Sequence, residues 1–98
     1  MRLGVIVSDF RNMDETLSRL KADKLGVIFV SNGVYHTATK EGGKKSPLLE
    51  KSPNMYVLTE DLQSRGFSEV QIDSRVKPVT YSDLVDVIFN DYDKTIWI

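Results

Sequence analysis

Leu3-Gly4-Val5-Ile6-Val7 and Leu25-Gly26-Val27-Ile28-Phe29-Val30 are the two stretches that decide the fold. Each is a short, unbroken apolar run rich in β-branched residues, the pattern of a strand buried on both faces. Each ends in polar turn formers, Ser8-Asp9 in one case and Ser31-Asn32-Gly33 in the other. Between them Phe10, Met13, Leu17 and Leu20 recur at helical spacing, and Asn12 followed three residues later by Glu15 reads as a capping box. Strand, helix and strand in this order predict two parallel strands joined by a right-handed crossover.

The same alternation continues downstream. A short helix is expected from Val34 to Lys40, and residues 41 to 53, with two glycines, two prolines and three lysines, read mostly as loop. Met55-Tyr56-Val57-Leu58 resumes the strand pattern, Thr59 is placed to cap a brief helix through Arg65, and Gly66 to end it with Phe67 folding back on Leu62. Val76-Lys77-Pro78-Val79 reads as a weaker strand whose proline favours a strand boundary or a sheet edge. Thr80 caps a last helix in which Leu84, Val85, Val87, Ile88 and Phe89 leave only a narrow polar stripe, so a wide buried face is expected. Thr95-Ile96-Trp97-Ile98 supplies a fifth strand. The expected fold class is therefore α/β, a three-layer αβα sandwich around a mainly parallel five-stranded sheet, forming one domain over residues 1–98. So few and such brief helices leave apolar sheet surface for a partner.

Composition narrows the chemistry. Leu, Ile, Val and Phe make up 30 of the 98 residues, enough for a packed core. The formal net charge is -1, too small to drive nonspecific binding to nucleic acid or anionic lipid. No apolar run approaches the roughly 20 residues of a membrane helix, so a cytoplasmic location without membrane attachment is expected, as is the absence of direct DNA binding. The chain has no cysteine, which removes disulfides, zinc fingers, redox pairs, thiol nucleophiles and persulfide carriers together. The single histidine, His36, reads as a surface or interface residue with no partner for base catalysis. No metal, cofactor or catalytic residue is implied.

Open parallel sheets bind ligands at the carboxyl ends of their strands, here Ser8, Asp9, Ser31, Asn32, Thr59, Glu60, Thr80 and Tyr81. The same residue types cap helices and make turns in any α/β protein, and Thr59 and Thr80 read as caps. The third strand ends Leu58-Thr59, without the aspartate of a phosphate-accepting receiver. Gly42-Gly43-Lys44-Lys45-Ser46 has Lys45 where a nucleotide loop needs a hydroxyl, so the segment 40–51 reads as a solvated lysine loop able at most to touch an RNA backbone. Charge is divided: residues 1 to 53 carry nine basic and six acidic groups, and residues 54 to 98 carry four basic and eight acidic. Such a division can steer association with a complementary protein. Trp97 and its neighbours Ile96 and Ile98 put large side chains on opposite faces of a terminal strand, which favours docking against another subunit.

Met55-Tyr56-Val57-Leu58-Thr59-Glu60-Asp61-Leu62-Gln63-Ser64-Arg65-Gly66, then Thr80-Tyr81-Ser82-Asp83-Leu84-Val85 and Trp97, resemble the DsrH/TusB family of sulfur-relay proteins. Asn32-Gly33-Val34 resembles that family's turn after the second strand, where an aspartate often replaces the asparagine; residues 35 to 54 match poorly. The resemblance implies a DsrE/DsrF/DsrH-like fold and a place in a sulfur-relay complex beside DsrE/TusD-like and DsrF/TusC-like subunits. Such complexes pass persulfide sulfur toward wobble 2-thiouridine in tRNA or toward intracellular sulfur oxidation, so any tRNA contact of this chain is expected to be indirect. Without a thiol the chain is expected to be a noncatalytic subunit. The interface or strand-end candidates are Asn32, Gly33, Tyr56, Glu60, Asp61, Tyr81 and Trp97. The alternative class is a homo-oligomeric module that binds a small molecule at the strand ends.

Overall fold

The computed structural model describes residues 1–8, 23–38, 40–41, 44–45, 53–67 and 72–98. In chain order the strands are β1 (Arg2–Val7), β2 (Lys24–Phe29), β3 (Lys40–Glu41), β4 (Lys44–Lys45), β5 (Asn54–Leu58), β6 (Val76–Val79) and β7 (Lys94–Trp97). The helices are α1 (Tyr35–Ala38), which follows a 3-10 turn at Ser31–Val34, α2 (Thr59–Ser64) and α3 (Tyr81–Asp91). Five strands form one sheet in the order β6-β5-β2-β1-β7, and every neighbouring pair is parallel. The expected α/β class is the one observed. β3 and β4 form a separate antiparallel hairpin, where the sequence suggested the end of a helix at Lys40 and mostly loop from residue 41. The capping box at Asn12 and Glu15 lies outside the described residues.

The registers sort the side chains by face. Leu3, Val5, Val7, Val27, Phe29, Met55, Val57 and Val76 pack with Val34 and Leu62, so this face lies under the 3-10 turn and α2. We call it the crowded face. Ile28, Val30, Leu58 and Val79 pack on the opposite face with Leu84 of α3, with Ile6, Tyr56 and Ile88 at the margin of that cluster. Strands β1, β2, β5 and β6 step across the sheet in one direction. The return from β6 to β7 reverses that direction, and with right-handed connections the reversal puts α3 on the other side.

This sparse face departs from expectation. Leu84 is the buried residue of α3, while Val85, Val87 and Ile88 are half-buried and Phe89 is 79% exposed. Among the described residues no other helix lies beside α3, so it touches the sheet along one stripe, its flanks stay open and the wide buried face is not formed. Below α3 the buried Tyr92 lies over two glycines: a Cβ on Gly26 would stand 1.9 Å from the Tyr92 hydroxyl oxygen, and one on Gly4 would stand 3.4 Å from its ring. Burial pushes the Tyr92 phenol well above its usual range, with neighbouring Tyr56 adding to the shift, yet the hydroxyl has no hydrogen-bond partner in bonding geometry.

Helix ends follow local chemistry. Thr80 Oγ1 accepts from the Asp83 N–H at 3.3 Å, as the sequence suggested. Thr59 does not cap α2; Leu58 occupies that position in an extended conformation without a side-chain bond, and Thr59 is the first helical residue. At the other end Gly66 has φ +81, its N–H donates to the Gln63 carbonyl at 3.1 Å, and the Phe67 N–H donates to the Leu62 carbonyl at 3.0 Å. This is a Schellman motif, with Phe67 packed against the same core as Leu62. His36 is corrected from surface to interior. The single turn of α1 directs it inward to 4% exposure, 5.9 Å from the Phe29 ring. Where β1 begins, Arg2 Nη2 meets Asp93 Oδ1 at 3.0 Å, which holds the Asp93 carboxyl below its usual range.

Candidate functional site

The carboxyl ends of all five sheet strands meet at one rim, and each end is tied to the next. At the β7 edge Trp97 Nε1 donates to Ser8 Oγ at 2.8 Å, and Ser8 Oγ donates to the Ile98 carbonyl at 3.3 Å. Beyond β1, the Val30 N–H donates to the Val7 carbonyl at 3.0 Å. The 3-10 turn then passes so close that a Cβ on Gly33 would stand 2.0 Å from the Val7 carbonyl oxygen. Only glycine fits there, because the obstacle is main chain.

Two acids at the start of α2 reach in opposite directions. Asp61 Oδ2 accepts the Ser31 N–H at 2.6 Å, and Glu60 Oε2 accepts the Tyr81 N–H at 3.0 Å. The first bond holds Ser31 at φ 51, a left-handed conformation that costs a serine about 1 kcal/mol or more. Arg65 completes the link. Its Nε and Nη2 both donate to Asn32 Oδ1 at 3.2 Å, Nη2 also donates to Ser31 Oγ at 3.3 Å, and Nη1 donates to the Asp61 carbonyl at 3.3 Å and Ser64 Oγ at 3.1 Å. All five guanidinium donors are occupied, so Arg65 fastens the turn to α2 and keeps no donor for a ligand.

Of the seven residues singled out from sequence, Asn32, Gly33, Glu60, Asp61, Tyr81 and Trp97 stand at this rim. Tyr56 does not; it faces the sparse side inside β5, opposite Ile28 and Lys77 in register. Sequence reading missed Arg65 as a site residue, because the turn it fastens is distant in the chain. Chemically the rim is a set of engaged polar groups. Ser8 Oγ is held by the Trp97 indole and the Ile98 carbonyl. Among the described residues no three histidine, aspartate or glutamate side chains stand where they could hold a metal ion.

Replacing Asp61 tests whether it holds the turn. Asp61→Ala is expected to cost about 1–2 kcal/mol in urea unfolding, since it strands the Ser31 N–H beside a strained backbone. Glu60→Ala, at a more exposed bond, should cost less. Equal effects would show that Asp61 has no special hold on the turn.

A small α/β protein with five parallel strands, the last inserted beside the first, is the class that this topology defines. A family model described as "DsrH like protein" matches residues 8–94, and the chain belongs to the DsrH family. It is 32% identical over 94 residues to Protein TusB of Erwinia tasmaniensis, covering 95% of this chain and 96% of that protein. Solved structures show the same fold. The ychN protein of E. coli superposes with a TM-score of 0.68 at 14% identity, covering all of both chains. MTH1491 of Methanobacterium thermoautotrophicum gives 0.66 at 14% identity over 99% of this chain and 98% of its own. Tm0979 of Thermotoga maritima gives 0.61 at 18% identity over 90% and 93% respectively. No helix among the described residues is long and apolar enough to cross a membrane.

Proposed function

We propose that this chain is a noncatalytic subunit of a cytoplasmic sulfur-relay complex of the DsrEFH/TusBCD kind. The observation that carries the reading is the conjunction of DsrH family membership with a chain that contains no cysteine. Sulfane sulfur moves between proteins by attack of a thiolate and release of a thiol, so a chain without one cannot hold the cargo. Its contribution is then structural. It packs against cysteine-bearing DsrE/TusD-like and DsrF/TusC-like subunits and helps present their thiols to donor and acceptor proteins. The exposed Trp97 and Phe89 support this reading, because large apolar groups left in water at an element's flank are typical anchors of protein interfaces. A relay of the Tus kind delivers sulfur toward wobble 2-thiouridine of tRNA; one of the Dsr kind serves intracellular sulfur oxidation.

Deleting the gene in its source organism and complementing with the intact coding sequence tests this reading. Loss of tRNA 2-thiouridine, or arrest of sulfur oxidation, restored on complementation, is the expected result. Unchanged levels of both in the deletion strain would overturn it. So would a stable sulfur adduct on the purified chain after exposure to a persulfide donor.

A further inference from the structure

We infer that Asn32 is a deamidation site which the fold holds shut, with water as the co-reactant and no enzyme required. An asparagine loses its side-chain amide when the main-chain nitrogen of the next residue attacks its Cγ. That nitrogen gives up its proton, the new N–Cγ bond closes a five-membered succinimide, and the bond from Cγ to the amide nitrogen breaks to release ammonia. Water then opens the ring without any change of oxidation state. Cleavage of the N–Cγ bond leaves aspartate in an ordinary main chain, and cleavage on the other side of the nitrogen leaves isoaspartate, with the chain rerouted through the side chain.

A side chain on the following residue crowds the attacking nitrogen, so glycine is the neighbour that most favours ring closure. Of the four asparagines, Asn12, Asn32, Asn54 and Asn90, only Asn32 precedes a glycine. It is also exposed to water. The fold cannot dispense with that glycine, because a Cβ at Gly33 would stand 2.0 Å from the Val7 carbonyl oxygen. Packing the 3-10 turn against β1 therefore carries a labile dipeptide with it.

Three consecutive residues are pinned against the reaction. The Ser31 N–H donates to Asp61 Oδ2 at 2.6 Å. Arg65 Nε and Nη2 both hold Asn32 Oδ1 at 3.2 Å, which fixes the carboxamide. The Gly33 N–H donates to the Val30 carbonyl at 2.8 Å, so the proton that must leave is engaged. Asn32 also lies inside the 3-10 turn, whose ψ of roughly −20 to −30° keeps the next nitrogen away from Cγ. Ring closure requires Asn32 to rotate out of that conformation, so the reaction passes through local opening of the turn and slows by the opening equilibrium. The two products differ in fit. An aspartate offers Arg65 one oxygen for each of its two donors and turns the shared acceptor into a bidentate ion pair. An isoaspartate adds a main-chain carbon where the turn has no room, and it separates Gly33 from β1.

The test incubates the purified full chain in mildly alkaline buffer, folded in one arm and unfolded in guanidinium chloride in the other, and follows each asparagine by peptide mass spectrometry. In the unfolded arm Asn32 should convert faster than Asn12, Asn54 and Asn90. In the folded arm its conversion should be slower by about tenfold or more. Arg65→Ala, incubated well below its melting transition, should convert at Asn32 about threefold faster than the unsubstituted folded chain, the factor that one ordinary hydrogen bond supplies. Asn32→Asp should melt no lower than the unsubstituted chain. Equal rates at Asn32 in the two arms would overturn the protection, and an unfolded rate no higher than at the other asparagines would overturn the site itself. Conversion of folded Arg65→Ala at the unsubstituted rate would overturn the part assigned to Arg65.

Discussion

Gly33→Ala is expected to cost about 3 kcal/mol of stability or more, toward the top of the range for overpacked sites. The new methyl would stand 2.0 Å from the Val7 carbonyl oxygen and 2.8 Å from its carbon, and neither atom can rotate aside. Relief requires the 3-10 turn to lift from the end of β1. Lifting it strains the bonds from Arg65 to Asn32 and from Ser31 to Asp61, so the rim loses its shape together with its stability. Urea unfolding monitored by far-UV circular dichroism measures the cost directly. A midpoint within error of the unsubstituted chain would mean that the turn does not sit on β1 as described.

Gly26→Ala carries the second large effect, expected at about 2–3 kcal/mol. Here the obstacle is a side chain, with the Tyr92 hydroxyl oxygen at 1.9 Å and ring carbons at 2.2 and 2.6 Å from the added methyl. Tyr92 is enclosed and cannot simply swing out, but it can be removed. The double variant Gly26→Ala with Tyr92→Ala should therefore be less unstable than the sum of the two single variants, with a coupling of about 1 kcal/mol or more. Additive losses would show that the ring does not occupy the space above Gly26. Tyr92→Phe alone offers an internal comparison: removing a buried hydroxyl that has no bonding partner should be close to neutral.

The two glycines in the deciding strands illustrate what sequence can and cannot tell. Gly4 and Gly26 interrupt otherwise continuous β-branched runs, and the runs alone sufficed to predict buried parallel strands. That Gly26 is small because a distant tyrosine lies over it, and that Gly4 faces Thr95 and the same ring, was invisible, since both residues are brought there only by the full β6-to-β7 crossover. Pro78 correctly marked β6 as an edge, because a missing N–H is a local property that no tertiary contact can supply. Thr80 was legible for the same reason. Thr59 was misread by one position, since the neighbouring acids satisfy other elements and no cap bond decided the boundary.

The apolar content of α3 was plain, but how much of it meets the sheet depends on how many helices share that face. His36 was misplaced because a single helical turn leaves no periodicity from which to read its inward direction. At the rim, Asn32, Glu60 and Tyr81 could be proposed from the rule that strand carboxyl ends carry sites, and Gly33 and Asp61 from the family resemblance. Arg65 could not, because the turn residues it fastens, Ser31 and Asn32, lie more than thirty residues earlier in the chain.

The insertion of β7 beside β1 has a consequence for biosynthesis. During translation β1 can pair with β2 early, but its other edge must wait for a strand that lies far later in the chain, beginning at Lys94. Until then the nascent polypeptide carries an unprotected row of amide and carbonyl groups flanked by valine and isoleucine, a template for adventitious strand addition. Ribosome pausing or premature release shortly before Lys94 should thus yield aggregation-prone products, and trigger-factor-type chaperones would be most needed in that interval.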